Sequence, residues 1–159
     1  MALISASKFE KVERVMMALW VGALCAIGYI AAPVLFASLD DRQLAGMLAG
    51  KLFNVISWGG LGIAIVLSIG CLATVGTQWL RQWRAWGLLA MLVIVCVMLF
   101  VLQPMMADLK AQGSVIEGSE LAVTFGRLHG ISSLLYLMIS LIGLLLVGMG
   151  LRDSTKVLK

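Results

Sequence analysis

The sequence predicts an all-α integral membrane protein, an up-down-up-down bundle of four transmembrane helices. The 159 residues are 62% apolar and 13% charged, whereas soluble domains average about 45–50% apolar and about 25% charged residues. The mean hydropathy is +1.05. Four stretches contain no Asp, Glu, Lys or Arg: 15–39, 52–80, 85–107 and 128–151. Each exceeds the ~20 residues that a helix needs to cross a hydrocarbon core, so the composition excludes a soluble domain.

We predict a single membrane domain, 1–159, with helices at about 12–39, 41–77, 84–110 and 115–151. Three basic residues precede the first charge-free run: Lys8, Lys11 and Arg14. This arrangement also occurs in cleaved signal peptides, but the charge-free run of the first helix is longer than their apolar region of roughly 7–15 residues. We therefore expect the first helix to be retained.

The helix ends carry capping and interface signals. Asp40 followed by Gln43 is typical of a helix N-cap, so the second helix is expected to begin near Asp41. Ser114 with Glu117 forms a capping box before the fourth helix. Three tryptophans flank the arginines between the second and third helices: Trp79, Trp83 and Trp86. Such a belt is typical of a membrane interface and predicts a short turn there.

Two prolines predict kinks in the outer half of the bundle. Pro33 lies near the end of the first helix and Pro104 near the end of the third. Proline removes a backbone donor and frees a carbonyl one turn earlier. In a membrane the freed carbonyl must be satisfied by neighbouring protein or water. We identify no internal repeat in the sequence.

The distribution of basic residues predicts the orientation of the bundle. Eight Lys and Arg residues lie on the side of the two termini and the connection between the second and third helices, and four lie on the other side. By the positive-inside rule, both termini are expected in the cytoplasm, in a multi-pass protein of the inner membrane. The lipid bilayer, with its anionic head groups, is then the expected partner. No basic run is interleaved with aromatic residues, so nucleic-acid binding is not expected.

The fourth helix carries a polar stripe that we interpret as one wall of a pocket. The stripe has helical spacing: His129, Ser132, Ser133, Tyr136 and Ser140. Polar faces between apolar helices turn inward, because lipid cannot satisfy them. We predict an outer pocket centred on the imidazole of His129, which Ser132 and Ser133 orient. Its expected rim consists of charged residues: Arg127, Asp40, Asp41 and Asp108. Alternatively, His129 only bonds a neighbouring helix and Arg127 snorkels to the interface.

Soft-metal ligands are plentiful, with ten Met and three Cys residues. Thioether and imidazole groups together suit copper(I). Met105 and Met106 follow Pro104 at the expected level of His129, so His129 with either methionine is the candidate copper site. Alternatively, these methionines fill the core. The cysteines show no paired spacing and predict no disulfide. A single histidine excludes a bis-histidine haem site within the chain, while a His/Met or dimer-shared haem stays open.

Two further features bear on partners and activity. Gly22 with Ala26, and Gly46 with Gly50, are small-residue pairs that let helices approach closely within the bundle or between protomers. They favour a homo-oligomer or a larger membrane complex. No GxSxG, HExxH or phosphate-cradling motif is present, so hydrolytic or phosphoryl-transfer chemistry is not expected and a non-enzymatic role is favoured.

Four short motifs occur in a fixed order: Trp20-Val-Gly22, Ala32-Pro33-Val-Leu-Phe36, Ala45-Gly46 with Gly50-Lys51-Leu-Phe53, and Phe125 through His129-Gly-Ile-Ser132. Together they resemble the transmembrane protein 205-like family, catalogued as domain of unknown function 4149, over nearly the whole chain. The resemblance implies a four-helix integral membrane protein without an established biochemical activity in bacteria. Eukaryotic relatives are linked to platinum-drug resistance, which is a soft-metal phenotype. More distantly, the architecture is similar to copper resistance protein D and to small haem-associated membrane proteins, whose several histidines are absent here.

The sequence thus leaves three functional hypotheses. The first is a non-enzymatic binding or transport protein for a soft metal such as copper, or for a small solute, with a polar pocket at the outer side. The second is a structural or assembly subunit of a larger membrane complex. The third is a haem-associated membrane protein.

Overall fold

The computed structural model describes residues 6–111 and 120–151. All regular structure in these residues is helical. Four helices are long and apolar enough to cross a membrane, and we number them as spans one to four: Phe9–Ser38, Arg42–Arg81, Trp83–Ala111 and Glu120–Met149. The predicted all-helical fold with four membrane-spanning helices is confirmed. The Ser114–Glu117 capping box lies outside the described residues.

Spans one and three each contain a π-helical segment just before their proline. In span one, α-helix Ala6–Ala26 continues into π-helix Ile27–Ala31 and then into α-helix Ala32–Ser38. Span three repeats this order: α-helix Trp83–Val97, π-helix Met98–Leu102 and α-helix Gln103–Ala111. Proline lacks an N–H and its ring crowds the carbonyl one turn earlier, and a π turn widens the helix there. Each sequence-predicted kink site therefore carries a π bulge.

Span two begins one residue later than its capping signal suggests. The N-cap is Asp41 and not Asp40, because Asp41 Oδ1 accepts hydrogen bonds from the backbone N–H groups of Gln43 (2.8 Å) and Leu44 (3.1 Å). The α-helix Arg42–Val75 ends where Gly76 adopts a φ of 68°, followed by the 3₁₀ turn Gly76–Arg81. Glycine adopts this left-handed conformation without steric penalty.

The four spans pack in a closed ring, in which successive spans contact each other and span four also contacts span one. We call the end with Asp41 and Lys110 the Asp41 end, and the opposite end the Trp79 end. The core is apolar, and its largest fully buried side chains include Trp20, Trp79, Met91 and Ile139. The Trp20 indole lies directly against Gly60 of span two, where an added Cβ would come within 2.1 Å of it.

A buried carboxylate joins three spans at the Trp79 end. Glu13 is fully buried, and its Oε1 accepts a hydrogen bond of 2.7 Å from the backbone N–H of Leu151, just beyond span four. The Cys71 thiol of span two lies 3.8 Å from Glu13 Oε2, within range of a sulfur hydrogen bond. Buried charged groups require such partners, so Glu13 ties the end of span four to spans one and two.

Candidate functional site

Tyr136 and Ser140 face the interior, as the polar stripe predicts, but the hydroxyl group of each is hydrogen-bonded to a backbone carbonyl. The Tyr136 hydroxyl donates a 2.7 Å hydrogen bond to the Leu24 carbonyl, and its ring lies so close to Gly28 that an added Cβ would meet it at 2.2 Å. Ser140 donates to the Tyr136 carbonyl at 2.8 Å. Tyr136 thus provides a hydrogen-bond donor for a backbone carbonyl of span one near its π bulge. The hydroxyl groups of Tyr136 and Ser140 therefore stabilise the packing of the bundle.

The other end of the stripe turns outward. His129 and Ser133 are exposed and Ser132 is half-buried, so His129 does not face the bundle interior as expected. The stripe keeps to one face of the helix, so the difference arises along the helix axis: the neighbouring spans cover this face at Tyr136 and Ser140 but leave it open at His129. Ser133 donates to the His129 backbone carbonyl at 2.9 Å. Its hydroxyl is bonded to the backbone and not to the imidazole that it was expected to orient.

A chain of ring contacts joins spans three and four at the Asp41 end. The Lys110 ammonium lies 5.3 Å from the centroid of the Phe125 ring, a cation–π contact. Phe125 in turn stacks on the His129 imidazole, with centroids 6.3 Å apart and ring planes 8° from parallel. The imidazole therefore borders the groove between the two spans.

The same contacts fix the register between spans three and four. The two spans are antiparallel neighbours, so one turn away from the Asp41 end leads from Lys110 to Met106 and from Phe125 to His129. Met106 and His129 consequently lie at the same level of two adjacent spans. Met106 is half-buried, whereas Met105 is exposed and lies about 100° farther around the helix. We call the surface formed by Met106, Lys110, Phe125 and His129 the Met106–His129 groove.

The expected rim residues all lie on the exposed surface: Arg127, Asp40, Asp41 and Asp108. The structure does not bring them into contact with His129, and Asp41 serves as the helix cap. Among the described residues, the ion pair that forms joins Arg14 to Glu10 at 3.2 Å, near the Trp79 end. The described part of the chain also contains no group of three or more His, Cys, Asp or Glu side chains that could hold a metal. A metal ion bound in the groove would therefore need a methionine thioether among its ligands.

A polar contact that the sequence interpretation missed joins spans two and three. The Asn54 amide donates to the side-chain carbonyl of Gln103, which directly follows the π bulge of span three. About one turn deeper, Trp58 and Phe100 form a T-shaped pair with centroids 5.7 Å apart. Both amides occur inside charge-free stretches, and that placement is the signal that could have identified them.

A protein-family comparison complements this geometry. The family model described as a domain of unknown function, DUF4149, matches residues 15–115. The chain belongs to the DUF4149 family. The matched part of this DUF4149 protein covers most of span one and all of spans two and three, including Met106, and His129 lies beyond it. No curated protein and no solved structure matches the chain.

Proposed function

We propose that this DUF4149 protein is a non-enzymatic binding protein for a soft metal ion such as copper(I), held in the Met106–His129 groove. The observation that supports the proposal is the register of spans three and four, in which Met106 and His129 each follow one turn deeper than the Lys110–Phe125 contact. Lys110 over Phe125 and Phe125 against His129 define that register. Thioether and imidazole are ligands that copper(I) prefers to carboxylates.

The surroundings of the groove fit this ligand set. The nearby aspartates lie on the exposed surface, and the described residues contain no carboxylate cluster that would favour a hard cation instead. His129 is exposed, which leaves its ring nitrogens accessible from outside the bundle. The core of the bundle is filled by buried side chains such as Trp20, Met91 and Ile139. The proposal is therefore binding at the surface and not passage through the bundle.

A copper(I) titration tests this proposal. Purified protein in mild detergent under reducing conditions would compete with a chromophoric copper(I) chelator, with Met106→Leu and His129→Gln as variants. Because each variant removes a proposed ligand, we expect the Kd to rise at least about tenfold, the lower limit for losing even an outer-shell partner of a metal site. Met105→Leu, the matched control on the neighbouring face, should leave the Kd unchanged. Absence of stoichiometric copper(I) uptake, or equal effects of Met105→Leu and Met106→Leu, would contradict the proposal.

The second candidate is a structural or assembly subunit, favoured by one observation. Gly22 and Ala26 of span one are exposed, and nothing lies within 4 Å of a Cβ added at Gly22. Gly50 is equally open. The bundle does not use these close-approach positions, which leaves them available to another protein helix. A protein partner retained in mild detergent, together with absence of copper uptake, would select this candidate.

A further inference from the structure

Spans one and three share a sequence pattern that coincides with their π bulges. Residues 25–33 read CAIGYIAAP and residues 96–104 read CVMLFVLQP, so both follow Cys-x-x-x-aromatic-(Ile/Val)-x-x-Pro. In each copy the π-helix begins two residues after the cysteine and ends two residues before the proline: Ile27–Ala31 and Met98–Leu102. The pattern and the irregular structure thus recur together at an offset of 71 residues.

Spans two and four continue the repeat at an offset of 76 residues. Residues 50–57 read GKLFNVIS and residues 126–133 read GRLHGISS, which align glycine, a basic residue, leucine and serine. Three buried residues of span two, Gly60, Ala64 and Leu67, correspond at this offset to buried residues of span four, which are Tyr136, Ser140 and Gly143. The closed ring of spans is what a two-fold arrangement of two equivalent units produces.

The aromatic residues of the two π bulges also make similar ring contacts. The aromatic residue of the first π bulge, Tyr29, packs edge-on against Tyr136 of span four. Its counterpart in the second π bulge, Phe100, packs edge-on against Trp58 of span two. The π bulge of span one thus contacts span four, and the π bulge of span three contacts span two.

The exposed surfaces of spans two and four are equivalent as well. In span two, one exposed face carries a basic residue among apolar ones: Met47, Lys51, Val55 and Trp58. At an offset of 76, span four exposes the same arrangement: Val123, Arg127, Ile131 and Leu134. Spacings of four, four and three residues keep each set on one face of its helix.

Both cations lie where a span enters the hydrocarbon. Lys51 directly precedes the charge-free stretch 52–80, and Arg127 directly precedes 128–151. Neither cation is ion-paired within the described ranges, although acidic residues occur at the same end. The preceding glycines, Gly50 and Gly126, leave open space beside them, because nothing lies within 4 Å of a Cβ added at either.

We propose that the chain consists of two homologous two-span units and that each unit binds one anionic phospholipid at the Asp41 end, through Lys51 in the first and Arg127 in the second. A cation on a lipid-facing helix surface at this depth is satisfied by a lipid phosphate. The acyl chains would lie along the exposed apolar residues that follow in each span: Val55 and Trp58, or Ile131 and Leu134. This apolar continuation selects a phospholipid over free phosphate.

Native mass spectrometry of the full chain tests this assignment. Protein reconstituted in vesicles of equal phosphatidylglycerol and phosphatidylcholine would be released into mild detergent, and the retained lipids counted. We expect two phosphatidylglycerol molecules on the unmodified protein, one on either Lys51→Gln or Arg127→Gln, and none above the phosphatidylcholine level on the double variant. Lys51→Arg and Arg127→Lys should each keep two, because the charge remains.

Arg42→Gln is the matched control, since Arg42 is an exposed cation at the same end but outside the two faces. It should retain two phosphatidylglycerol molecules. Retention of the phosphatidylglycerol preference by the double variant would overturn the proposal. Displacement of the lipid by soluble glycerol phosphate at equal concentration would also overturn it, because the acyl chains would then contribute nothing.

Discussion

Replacing Gly60 with alanine should destabilise the bundle strongly, although the change adds only a methyl group. The added Cβ would lie 2.1–2.7 Å from three atoms of the Trp20 indole, and Trp20 is a core residue that is only 1% exposed. Overpacking a rigid core typically costs about 1–3 kcal/mol. We expect a loss of this size in the free energy of unfolding, measured by denaturant titration in detergent micelles.

The neighbouring glycine provides the control. Gly59→Ala places its Cβ in open space, and alanine is favoured over glycine within a helix by about 0.5–1 kcal/mol. Gly59→Ala should therefore leave stability unchanged or raise it slightly. Equal losses for the two variants would show that Trp20 does not pack against span two as described.

Removing the Glu13 carboxylate should produce the second large effect. In Glu13→Ala the buried backbone N–H of Leu151 loses its 2.7 Å acceptor, and the Cys71 thiol loses its neighbour. An unsatisfied buried donor costs about 1–3 kcal/mol. We expect a decrease of this order in the free energy of unfolding, together with increased proteolysis at the Trp79 end, where span four is tied to span one.

Glu10→Ala is the matched comparison, because Glu10 is one turn away and pairs with Arg14 on the surface. Surface ion pairs contribute about 0–1 kcal/mol, so this variant should unfold almost as the unmodified protein does. If Glu13→Ala and Glu10→Ala had the same small effect, the carboxylate of Glu13 would not hold the bundle together.

The membrane-spanning architecture was predictable from the sequence because it depends on local composition. Four charge-free runs determine the number of spans, and the chemistry of Pro33 and Pro104 determines where the helices deviate from α geometry. The N-cap signal was accurate to one residue, since both Asp40 and Asp41 offer a carboxylate near the start of span two. In each case the deciding interaction lies within a few residues along the chain.

Long-range features were not predictable in this way. Glu13 looks like an ordinary terminal charge, and its buried position depends on Leu151, which is 138 residues away in sequence. The periodicity of span four places His129 and Tyr136 on one face, yet it cannot determine how far the neighbouring spans cover that face at each level. The copper hypothesis therefore moved from an interior pocket to a surface groove, and of the two methionines considered, Met105 and Met106, only the half-buried Met106 remains a proposed ligand.

The internal repeat was missed for a specific reason. The offset between equivalent residues is 71 for spans one and three and 76 for spans two and four, so no single offset aligns both pairs of spans. The matching π bulges made the equivalence visible, because they identify corresponding residues without reference to the connections. His129 of the groove corresponds to Phe53 in the first unit, and the two units therefore differ at the residue proposed to bind a metal.

The proposed metal site requires Met106 and His129 to face each other across the groove, and cross-linking of paired cysteines tests this requirement. In a background without Cys25, Cys71 and Cys96, a short bifunctional maleimide would be applied to Met106→Cys with His129→Cys, and to Met105→Cys with His129→Cys as the control pair. Tandem mass spectrometry would identify the linked peptides. Efficient linkage of positions 106 and 129 but not of 105 and 129 is the predicted result. Preferential linkage of 105 and 129 would contradict the register on which the proposed site depends.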